Sequence, residues 1–130
     1  MNFNYDAIHG QKVTAFFGRN RRSGDDGKFS CEEVAICLPN SVATISVTAN
    51  TDEIVLRLCE DITSLTSGKP GWAALSQFDE YVGAELGWCW MGKNYLGYED
   101  TIVFSFAGVE PQIAICGVAS FLWFYRMQRV

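Results

Sequence analysis

The stretch SVATISVTANTDEIVLRLCED, residues 41–61, constrains the fold more than any other. Two alternating, β-branched runs meet across Asn50-Thr51-Asp52, which is the pattern of a β-hairpin. Ile54, Leu56 and Leu58 share one side of the second run, with Val55, Arg57 and Cys59 on the other. Similar short runs recur: QKVTAFF (11–17), EEVAICLPN (32–40), WCWMG (88–92), YEDTIVFSF (98–106), PQIAICGV (111–118) and SFLWFYRMQ (120–128). Gly, Pro or Asn separates most of them. GRNRRSGDDGK, residues 18–28, reads as an exposed loop in which Arg19, Arg21 and Arg22 face Asp25 and Asp26.

One segment has a helical period. WAALSQFDEYVGAELG puts Trp72, Leu75, Phe78, Val82 and Leu86 at spacings of three and four, and Gly87 suits a helix end. TSLTSGKPG, residues 63–71, is the one break in composition before it. The expectation is a single α+β domain over residues 1–130. It has a largely antiparallel sheet of about seven or eight strands, with one main helix at residues 72–86 packed on it.

Hydrophobic residues make up 48% of the 130, enough for a buried core and too many for a disordered chain. The formal charge of −5, fifteen acids against ten bases, argues against binding nucleic acid, which requires cations to displace counterions. It suits a basic protein partner. The five cysteines include no C-x-x-C pair and sit mostly in apolar runs, as reduced thiols do. MNFNYDAIHG lacks the basic-then-apolar order of a signal peptide, and Ile113–Tyr125 is too short for a helix to span about 30 Å of bilayer. A cytoplasmic protein is expected.

Catalytic and metal devices fail on spacing. His9 is the sole histidine, and no nucleophile sits in a G-x-S-x-G elbow. SGDDGKFS lacks the first glycine and the hydroxyl residue of a phosphate loop. As a calcium loop it would place Arg22 and Gly24 where carboxylates are needed. Adjacent acid pairs on strands point to opposite faces and make poor dyads. No catalytic residue, metal or cofactor is expected.

GWCWMGKNYLGYED, residues 87–100, reads as a second hairpin, with residues 93–97 as its tip and Asn94 and Gly97 as carriers of positive φ. Alternation puts Trp88 and Trp90 on one face and Cys89 and Met91 on the other, without choosing which is buried. Tyr95, Tyr98, Glu99 and Asp100 at the tip are the first candidates for a partner-binding surface, because aromatic residues are enriched at interfaces. Asp52, Glu53, Glu60 and Asp61 of the earlier hairpin are second candidates.

The pattern G-W-x-W-x-x-x-N-x-x-G-Y-x-D-T over residues 87–101 resembles an uncharacterised family of small bacterial proteins. The run T-D-E-I-V-L (51–56) and Ala119-Ser120-Phe121 share in the resemblance. That family implies no activity and no catalytic residue. In size and acidity the chain is also similar to bacterial immunity proteins that neutralise toxins. The expected function is therefore non-enzymatic protein binding, as an immunity protein whose acidic, aromatic surface blocks a basic toxin. One alternative is a small-molecule pocket or minor enzyme lined by Trp72, Trp88, Trp90 and Trp123. Another is a structural subunit that dimerises through the edge of SFLWFYRMQ.

Overall fold

The computed structural model describes residues 3–127. In chain order its main elements are β1 (Ala15–Arg19), β2 (Arg22–Ser23), β3 (Phe29–Cys31), β4 (Glu33–Cys37), β5 (Val42–Val47), β6 (Ile54–Cys59), the helix α1 (Ile62–Thr66), β7 (Trp72–Ala74), β8 (Leu86–Lys93), β9 (Glu99–Phe106), β10 (Ile113–Val118) and β11 (Phe121–Arg126). They form two antiparallel sheets, ordered β6-β5-β4-β1-β7 and β2-β3-β11-β10-β9-β8. The fold is mainly β, with more strands than expected.

The two sheets share one apolar layer. Phe16, Val34, Ile36, Ile45 and Leu56 from the first sheet meet Cys31, Ile102, Phe104, Ile115, Leu122 and Phe124 from the second. Alternation explains the selection, since each strand sends every second side chain inward. Phe29 stacks on Phe124 at 4.6 Å, and Tyr81 on Phe106 at 4.5 Å. The 41–61 hairpin is as expected, pairing Val42 with Cys59 through to Val47 with Ile54.

The expected helix at residues 72–86 is not formed. Trp72–Ala74 pairs instead with β1, and residues 76–81 make a 3₁₀ turn. Leu75, Phe78 and Tyr81 are buried, at intervals of three, while Val82 is exposed. A spacing of three suits the 3₁₀ turn, which has about three residues per turn, better than an α-helix. Gly83 then takes φ +91, and its N–H donates to the Val13 carbonyl, turning the chain into β8. The one α-helix among the described residues is α1, which overlaps the stretch that reads as a break. Asp61 caps it by accepting from the Ser64 N–H at 2.7 Å.

The 18–28 loop is corrected too. Arg22 pairs with Ser30 and Ser23 with Phe29, so part of it is sheet. Arg19 pairs with Glu32 and Glu33 rather than with the aspartates. Arg21 lies over the Phe29 ring and Arg22 over the Phe121 ring. Gln128, the last residue of the expected C-terminal strand, lies outside the described residues. That strand lies between β3 and β10 rather than at the border of the sheet, β3 pairing it at Leu122 and Trp123; β2 and β8 bound the sheet.

Candidate functional site

The outward-facing side chains of the six-stranded sheet follow from its register. Trp90 lies opposite Val103, Val103 opposite Ala114, and Ala114 opposite Tyr125, which makes one row across four strands. A second row runs from Gly92 through Thr101 and Cys116 to Trp123. Cys89 and Met91 pack against the core, so Trp88 and Trp90 point outward, their rings 6.1 Å apart. Neither apolar cluster includes Trp88, Trp90, Val103, Trp123 or Tyr125. Trp88 is 55% exposed.

The hairpin of β8 and β9 extends this face. Tyr95 is 96% exposed at its tip, beside exposed Leu96 and Tyr98. Gly97 has the expected positive φ; Asn94 does not, and acts through its side chain instead. Its Oδ1 accepts from the N–H groups of Leu96 and Tyr98, and its Nδ2 donates to Asp100. Such Asx turns rigidify a loop. Asp100 also accepts from Thr101, so its carboxylate belongs to the turn.

The second set of candidate acids divides. Asp52, at φ +57, accepts from the N–H groups of Ala119 (3.1 Å) and Ser120 (2.7 Å), the two residues that turn β10 into β11. Both turn residues have positive φ without being glycine, and this carboxylate holds them there. Glu53 and Glu99 line one groove of about 200 Å³ with Phe3, Ile54 and Met91. Glu60 and Asp61 sit at the far end of β6, on another groove. Of the eight candidates, Tyr95, Tyr98, Glu99 and Asp100 share the tip region, Glu53 approaches Glu99, and the others lie apart.

The four tryptophans do not line a common pocket. Trp72 covers the first sheet from outside, whereas Trp88, Trp90 and Trp123 lie on the second. A cleft of about 610 Å³ lies between residues 109–112 and Arg126. Another cluster brings chemistry-bearing groups together: Tyr5, Asp6, His9, Trp88 and Cys89 line a cleft of about 320 Å³. Burial pushes the Cys89 thiol up to about 12, the wrong direction for a nucleophile. Sequence reasoning passed over this cleft because Tyr5 to His9 lie some eighty residues from Cys89 and no spacing rule joins them. No group of three or more His, Cys, Asp or Glu is placed to hold a metal among the described residues. Among them, too, no helix is long and apolar enough to cross a membrane.

These features define a two-sheet antiparallel β protein with one aromatic face outside its core. The chain belongs to a family of unknown function, DUF6334, which matches residues 1–130. The resemblance to an uncharacterised family is thereby borne out. No curated protein and no solved structure matches the chain.

Proposed function

We propose that the protein is a non-enzymatic binding module that docks a protein partner on the outer face of its six-stranded sheet and on the β8–β9 hairpin. The observation that carries this reading is Trp88. A tryptophan 55% exposed on a strand, beside Trp90 and on the hairpin whose tip tyrosine is 96% exposed, has no place in either buried cluster. Aromatic anchors on a rigid strand bind at low entropic cost, and the Asn94 network supplies the rigidity at the tip. The net charge of −5 favours a basic partner, which keeps toxin neutralisation as the biological setting we infer. Asp52, Asp61 and Asp100 serve turns and a cap within the chain, so the recognition surface is more aromatic than acidic.

The test is capture of a partner from the source lysate by the tagged protein, repeated with variants. Trp88→Ala and Tyr95→Ala should lose the captured protein while keeping the wild-type Tm. Trp72→Phe, on the opposite sheet, should keep it. Capture that survives both aromatic truncations would refute the proposed surface.

A further inference from the structure

The cleft between the N-terminal 3₁₀ turn, Tyr5–Ala7, and β8 has a composition that the protein-docking face does not explain. Three of its five lining residues carry π-systems: Tyr5, His9 and Trp88. The rings of Tyr5 and His9 are 6.2 Å apart and inclined at 60°, so they form two walls of a corner rather than a stack. Trp88, half exposed, supplies a third surface. Asp6 is the acid that lines the cleft, and its carboxylate has no hydrogen bond or ion pair among the described residues. Cys89 adds a half-buried sulfur. Its thiol stays protonated, so the negative charge here comes from Asp6.

Aromatic faces carry negative quadrupole potential and attract cations that lie within about 6 Å of the ring centre. The type of cation follows from the hydrogen bonds on offer. A primary ammonium loses water that must be replaced by about three acceptors, and a single carboxylate does not replace it. A fully methylated ammonium has no N–H to satisfy and presents methyl groups to the rings. Its charge is spread over those methyls, where π faces and one nearby carboxylate stabilise it.

We propose that this cleft binds a quaternary ammonium group, with Tyr5, His9 and Trp88 as its walls and Asp6 as its counter-charge. The cleft shares Trp88 with the docking reading and otherwise stands on Tyr5, Asp6 and His9, which have no part in that surface, so Asp6→Asn separates the two. Two sources share this chemistry: free or headgroup choline, and a trimethylated lysine side chain.

The experiment is an NMR titration of the full chain with choline chloride, with sodium chloride as the ionic control. A third titration uses choline's uncharged carbon isostere, in which a tert-butyl group replaces the trimethylammonium. Saturable shifts at Trp88 and His9 with a dissociation constant of about 1 mM or tighter are expected. The isostere should bind at least about tenfold more weakly, since it keeps the shape and loses the charge. Asp6→Asn, at an exposed position, should weaken choline about threefold to fivefold without changing partner capture. Trp88→Ala should remove the response. Equal binding of the isostere, absence of saturation, or full affinity in Asp6→Asn would each overturn the proposal. A trimethyllysine peptide that binds tighter than choline upholds the site and assigns it to protein side chains. The reverse order upholds it and assigns it to choline.

Discussion

The outer faces of the two sheets are built from similar residues and end differently. On the five-stranded sheet, Ala35, Cys37 and Val42 are buried because Ile62 and Leu65 of α1 lie over them together with Trp72. Lys69, on the same covering segment, reaches Glu33 at 2.7 Å and pins it to the sheet. On the six-stranded sheet, Trp90, Val103, Cys116 and Trp123 occupy comparable positions, and neither apolar cluster extends to them. A chain that covers one apolar face with a five-residue helix has the means to cover both. That the aromatic face is the one left half-buried, with Trp88 and Tyr125 exposed on it, is the best reason to look for function there.

The layer between the sheets sets the scale for breaking this comparison. Phe104 is 1% exposed, and Tyr5 and Phe106 lie against it. Phe104→Ala should lower the unfolding free energy by about 3–5 kcal/mol, read from denaturant midpoints. A loss as small as that of a surface truncation would mean that the sheets do not share this layer.

Trp72 sharpens the covered side. Its ring packs in the second apolar cluster, yet its Nε1–H is buried without a hydrogen-bond partner. Trp72→Ala should cost about 1–3 kcal/mol. Trp72→Phe should cost clearly less, because it keeps the ring contact and removes an unsatisfied donor. Equal losses in the two variants would show that the ring does not hold this face.

How much of this was legible depended on whether a signal was local. The 41–61 hairpin was readable because its pattern and its turn are adjacent, and the observed register follows the alternation. The segment from Trp72 to Leu86 misled because spacings of three and four are shared by α-helices and by a strand followed by a 3₁₀ turn. Pairing of Trp72 with Arg19 and donation from the Leu75 N–H to the Phe16 carbonyl decided between them, and those contacts cross more than fifty residues. Tyr95 and Tyr98 could be picked out from composition. The outward direction of Trp88 could not, since it depends on Cys89 and Met91 meeting the core, and a register shift lies between Leu86 and Cys89. Asp52 and Asp61 look like exposed acids in sequence because nothing local announces which N–H groups they will accept.

Asp61 gives a smaller effect, with a pH dependence that follows from its bond. The Ser64 N–H holds its carboxyl below the ordinary value of 3.8. A lowered folded value means stability that is fully present above the unfolded value and lost as pH falls through the folded one. Asp61→Ala should therefore lower Tm modestly at neutral pH, and the gap to wild type should begin to shrink below about pH 4 and close only below the folded value. A gap that persists to lower pH would assign the loss to packing rather than to the cap.

The smallest expected change in stability is at Trp88, and it carries the comparison furthest. Its ring touches Trp90 and lines the cleft with Tyr5 and His9, but it fills no part of either buried cluster. Trp88→Ala should shift the unfolding free energy by no more than about 0.5 kcal/mol, several times less than Trp72→Ala. If Trp88→Ala instead destabilises as strongly as Trp72→Ala, the aromatic face is structural and the two sheet faces are alike. If stability holds while partner capture is lost, the residue serves recognition alone. Tryptophan is costly to expose and easily replaced on a strand by threonine or tyrosine. If Trp88 contributes nothing to folding, its place where two candidate surfaces meet leaves binding as the role that accounts for it.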